Sequence, residues 1–102
     1  MDNATWMSET RIRRRLVVHG RVQGVFFRDA VRDRASTHGV AGWARNRQDG
    51  TVEIVLEGSP EAVQRVIPFC EEGPSRAEVE SVDVHEEPPE GLTGFEVGYC
   101  RV

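Results

Sequence analysis

Residues 40–56 read VAGWARNRQDGTVEIVL. Val40–Asn46 reads as a strand, Arg47–Gly50 (RQDG) as a turn with Asp49-Gly50 as its hairpin signal, and Thr51–Leu56 as a second strand. In that second strand Val52, Ile54 and Leu56 share one side, while Glu53 and Val55 take the other. An antiparallel hairpin thus sits in mid-chain, with a strand and a helical pattern on each side of it. That arrangement decides the fold.

Upstream, Ile12–His19 is predicted as the first strand, with Ile12, Leu16 and Val18 on one parity and Val17 on the other. A turn over Gly20–Phe26 follows. Phe27, Ala30, Val31, Arg34, Ala35 and His38 then recur at helical spacing, which predicts a helix from about Phe27 to His38 that ends at Gly39. Downstream of the hairpin, Ser59-Pro60 marks a helix start, serine as the cap and proline in the first turn. Ala62, Val63, Val66, Ile67 and Cys70 form its buried stripe, and Gly73-Pro74 ends it. Pro68 inside that pattern predicts a kink or an early end. Ala77–His85 is the fourth strand. Val79 and Val82 fall on opposite parities there, so a bulge is expected near Glu80–Ser81. Glu86–Gly94 (EEPPEGLTG) reads as an exposed acidic loop, and Phe95, Val97 and Tyr99 as a short last strand. The order β-α-β-β-α-β with a short strand at the end predicts an α+β, ferredoxin-like α/β sandwich: an antiparallel sheet with two helices on one face.

At 102 residues the chain suits one small domain. Residues 1–10 (MDNATWMSET) are polar and aperiodic and read as a flexible N-terminal extension, leaving 11–102 as the domain. No apolar run is long enough to span a bilayer, and the N-terminus lacks the apolar core of a secretory signal. The cytoplasm is therefore the expected compartment, with no membrane partner, and a monomer is the expected state. Two cysteines make no disulfide framework or zinc cluster. Cys70 reads as a small buried hydrophobe, Cys100 lies near the C-terminus, and a bridge between them stays open. Net charge is −4, yet Arg11–Arg28 carries six arginines and no acid, whereas Glu71–Glu96 carries nine acids against Arg76 alone. An acidic protein is a poor general binder of nucleic acid, but a local basic segment can attract a small anion.

That basic segment ends in GRVQGVFFR, Gly20–Arg28. A glycine-bearing turn before a helix converges backbone N–H groups, the helix N-terminus adds partial positive charge, and an arginine adds a planar fork of donors. One reading is a phosphate-sized anion site built from Gly20, Arg21, Val22, Gln23, Gly24, Val25 and Phe26 with Arg28. The other is a tight strand-to-helix connection with Arg28 paired to Asp29 or Asp33. Gly24 suits a φ that other residues avoid in either case. Asn46 likewise has two readings, a functional polar group or the residue that initiates the RQDG turn. His19, His38 and His85 show no metal-ligand spacing, and there is no P-loop lysine or nucleophile elbow.

GRVQGVFFR together with GWARNRQDGTVEI, followed by EGSPEAV and GPSRAEVESV, resembles the acylphosphatase family over about Arg13 to Phe95. The resemblance implies hydrolysis of small acyl phosphates to a carboxylate and inorganic phosphate, with no metal or cofactor. It implies that Arg28 and the amides of the Gly20–Phe26 loop hold the phosphate and that Asn46 orients the attacking water. Trp43, Asp49 and Gly50 would be structural. Phe26, Ala44, Pro68 and Gly98 depart from the family pattern. An RNA-recognition domain shares the element order, but its aromatics belong on the third strand, where this chain has TVEIVL. A module coupled to a larger hydrogenase-maturation protein is a second rival, against which the end at Val102 favours a free-standing domain.

Overall fold

A computed structural model describes residues 10–99. The expected extension up to Glu9, and Cys100, lie outside the described residues. Five strands and two helices form in the predicted order: β1 (Ile12–Arg21), α1 (Phe27–Thr37), β2 (Ala41–Asn46), β3 (Val52–Gly58), α2 (Pro60–Glu72), β4 (Glu78–Glu87) and β5 (Phe95–Tyr99). The sheet order is β4-β1-β3-β2-β5. Leu16 and Val18 on β1, Ala44 on β2 and Val52, Ile54 and Leu56 on β3 face the helices. They bury against Phe27, Val31 and Ala35 of α1 and Val63, Val66 and Cys70 of α2.

The sheet is mixed, not wholly antiparallel as expected. β1 to β4 pair antiparallel, but β5 runs parallel to β2, from Gly42 opposite Phe95 to Asn46 opposite Tyr99. The cause is topological. The chain leaves β4 on one edge, crosses the end of the sheet through residues 88–94, and reaches the far edge running in the direction of β2.

Two local expectations hold. The register passes from His19 opposite Ser81 to Gly20 opposite Val79, which leaves Glu80 as the extra residue of the bulge. Ser59 Oγ accepts from the Ala62 amide at 3.2 Å, and Pro60 follows it in the first turn of α2. Two others are corrected. Helix α2 does not end early at Pro68: it continues to Glu72, because Val66 before the proline and Cys70 after it are both fully buried on one stripe. Gly20 and Arg21 belong to β1, not to the turn. A Cβ on Gly20 would lie 2.2 Å from the Glu78 carbonyl oxygen, so this glycine lets the two strands stay in contact across the bulge.

The helix-free face of the sheet is covered by charge. Most of the Arg11–Arg15 cluster is spent there: Arg13 pairs with Glu57 at 2.8 Å and Glu87 at 2.9 Å, and Arg15 with Glu87 at 2.7 Å. Val17 and Val55 on this face are buried. The Glu57 carboxylate is fully buried. Besides Arg13, it accepts from the amides of Glu90 at 3.0 Å and of Gly91 and Leu92 at 3.1 Å, so it straps the crossing segment to β3. Burial alone would raise its pKa. The Arg13 bond and the three amides outweigh burial and bring it down to about 2.

Candidate active site

The far end of the sheet gathers four pieces: the C-terminal ends of β1, β2 and β5, and the N-terminus of α1. Irregular chain between β1 and α1 is confined to Val22–Phe26. Val22 and Val25 point into the core, which anchors the loop, while Gly24 is exposed at φ 75°. That angle is unstrained only for glycine. The loop is stitched to the hairpin by Gln23, whose Nε2 donates to the carbonyls of Arg47 at 2.7 Å and Thr51 at 2.9 Å. This role for Gln23 was not legible in sequence, because both acceptors are main-chain oxygens of a distant turn.

Helix α1 begins without a side-chain cap. Phe26 stands at the cap position with φ 62° and ψ 25°, and its carbonyl accepts from the Ala30 amide at 3.1 Å. The first-turn N–H groups have no carbonyl partner within the helix, and they carry the positive end of its dipole. A hollow of about 200 Å³ opens beside this turn, lined by Val22, Gly24, Phe26, Phe27, Arg28 and Asp29.

Arg28 is held from β5. Its Nη1 donates to the Gly98 carbonyl at 2.7 Å, and its guanidinium lies 4.6 Å from the centre of the Tyr99 ring. Among the described residues it has no carboxylate partner. Asp29 and Asp33 both pair with Arg32 instead, each at 3.7 Å, so the surface salt-bridge reading of Arg28 is set aside. Nη1 is the one guanidinium nitrogen with a hydrogen bond among the described residues.

Asn46 ends β2, on the same face as Ala44 and therefore on the helix side of the sheet, paired to Val52 and Tyr99. Its Oδ1 is buried and, among the described residues, has no hydrogen-bond partner. The turn does not use it. Asp49 Oδ1 accepts from both the amide and the hydroxyl of Thr51, at 3.0 Å and 2.6 Å, and the Gly50 amide donates to Arg47 O at 3.2 Å. The turn-initiator reading of Asn46 therefore loses its basis. Trp43 faces the helix-free side, stacked under Arg45 at 4.0 Å. Cys70 is free and buried, and burial pushes its thiol up to about 12. His19 pairs with Asp83 at 3.0 Å. Among the described residues no three His, Cys, Asp or Glu side chains gather as a metal site would need, and no helix is long and apolar enough to cross a membrane.

The family model described as Acylphosphatase matches residues 14–97. The chain belongs to the acylphosphatase family. It is 56% identical over 88 residues to an acylphosphatase of Gloeobacter violaceus, covering 86% of this chain and 95% of that one. The crystal structure of acylphosphatase from Bacillus subtilis superposes with a TM-score of 0.83 at 38% identity, over 86% of this chain and 99% of that one. The Thermococcus kodakarensis HypF crystal structure also matches, at 31% identity and TM-score 0.74, over 88% of this chain but 12% of that one. Family membership makes this chain an enzyme that hydrolyses acyl phosphates. Of the acylphosphatase site residues expected from sequence, Val22–Phe26, Arg28 and Asn46 converge on one end of the sheet. Gly20 and Arg21 lie just below, on the β1 ladder. Gly98 and Tyr99, which hold Arg28, carry no signal in sequence for that task.

Proposed function

We propose that this acylphosphatase binds the phosphate of a small acyl phosphate between the Arg28 fork and the amides of the Val22–Phe26 loop and the α1 start, and that Asn46 orients the attacking water. The observation that carries the reading is the Asn46 Oδ1, a buried acceptor with no partner among the described residues. A buried acceptor left unpaired is costly, and one set beside an anion-binding loop suits a water that arrives with the substrate.

The chemistry asks for little more. The leaving group is a carboxylate, whose conjugate acid has a pKa of about 4, so it departs without a general acid. The water oxygen attacks phosphorus in line while the bond from phosphorus to the carboxylate oxygen breaks, and the electron pair leaves with the carboxylate. The water proton is taken by a phosphate oxygen, since a neutral amide accepts a hydrogen bond but is not a base near pH 7. Arg28 and the amides oppose the charge on the equatorial oxygens through the transition state. All the groups named come from one chain, so a monomer suffices, and the cytoplasm is the compartment we assign to it. Hydrolysis of benzoyl phosphate in ¹⁸O-water tests the direction of attack. The label is expected in inorganic phosphate; label in benzoate would place the attack on the carbonyl carbon and overturn the scheme.

A further inference from the structure

Phe26 is the one non-glycine residue with positive φ among the described residues. The left-handed region is strained for a side chain bearing a Cβ and is adopted without strain by glycine. Packing does not compensate for that strain, because the Phe26 side chain is 69% exposed. Phe26 instead lines the hollow beside Arg28. A second ring, Tyr99, is also 69% exposed and stacks on the Arg28 guanidinium. Two solvent-facing aromatic rings therefore lie beside Arg28, which has no carboxylate partner among the described residues. Strain kept at a position where a bulky apolar side chain is offered to solvent points to a ligand contact.

We infer that Phe26, with Tyr99, is a specificity-determining residue that selects acyl phosphates with an aromatic or broad apolar acyl group over acetyl phosphate. This rests on the proposed function: with the phosphate on Arg28 and the loop amides, the acyl group projects out of the loop and across its rim. A planar ring there covers apolar surface of Phe26 and Tyr99, whereas a methyl group covers little of it.

The test is the ratio of kcat/KM for benzoyl phosphate to that for acetyl phosphate in the wild type and in Phe26→Tyr, Phe26→Leu and Phe26→Gly. Phe26→Tyr keeps a ring and is expected to hold the ratio. Phe26→Leu and Phe26→Gly are expected to lower it by roughly 3- to 10-fold, the scale of one lost aromatic contact. A ratio unchanged in all three active variants, or lowered equally in Phe26→Tyr, overturns the inference and leaves the enzymatic reading standing. A wild-type chain that hydrolyses neither acyl phosphate above background overturns the enzymatic reading itself.

Discussion

Replacing Glu57 by glutamine removes the charge that straps the crossing segment to the sheet. The fully buried carboxylate serves four donors: Arg13, itself nearly buried, and the amides of residues 90–92. Its pKa falls from 4.5 to about 2 on folding. A depressed folded pKa gives stability that is fully present above the unfolded value and is lost as pH falls through the folded one. The difference corresponds to roughly 3 kcal/mol at pH 7, about half of that at pH 3 and a few tenths at pH 2. Against a total of about 5–15 kcal/mol for a small domain, that is a large share. The assay is urea unfolding of wild type and Glu57→Gln from pH 7 to pH 2. Glu87, whose pKa is also lowered by its bonds to Arg15 and Arg13, is present in both chains, so the Arg15 part of its effect cancels in the comparison. The stability gap is expected to shrink by roughly 3 kcal/mol across this window, with most of the change below pH 4.5. A gap that stays constant with pH would refute the reasoning, because the carboxylate would then titrate alike folded and unfolded.

Other expectations follow from the same contacts. Gln23→Ala removes both bonds from the loop to the hairpin; a loss of about 1–2 kcal/mol in unfolding free energy is expected, with a raised KM measured by steady-state hydrolysis. Arg28→Lys cannot both reach Gly98 and present a planar fork, so kcat/KM is expected to fall by about 100-fold or more, with inhibition by inorganic phosphate weakened in parallel. Asn46→Ala deletes an acceptor that has no partner among the described residues, so calorimetry is expected to show Tm unchanged or raised while kcat falls by about 100-fold or more. Phosphate monoesters, whose alkoxide leaving groups are far more basic than a carboxylate, are expected to be poor substrates in a phosphate-release assay.

Local order was legible in this sequence wherever it rests on near neighbours. The parity break between Val79 and Val82 marked the bulge at Glu80, Ser59-Pro60 marked the start of α2, and Asp49-Gly50 marked the hairpin. What escaped depends on contacts between distant residues. Nothing near Phe95 says that its strand joins β2 in parallel, since that follows from the path of residues 88–94 across the sheet end. Nothing in the sequence sets Glu57 apart from the other acids, since the partners of its buried carboxylate are Arg13 and amides more than thirty residues away. Pro68 carries a helix-breaking signal that burial on either side of it overrides. For the site, the motifs named Arg28 and Asn46, but not how Arg28 is held, because Gly98 offers only a carbonyl and Tyr99 only a ring face.

The central claim is that Arg28 and Asn46 act together on one phosphate. Its most direct measurement is benzoyl phosphate hydrolysis by wild type, Arg28→Ala, Asn46→Ala and the double variant, each shown to be folded. The account predicts turnover in the wild type, near-background rates in each single variant, and little further loss in the double. Single variants that keep wild-type rates while folded would contradict it.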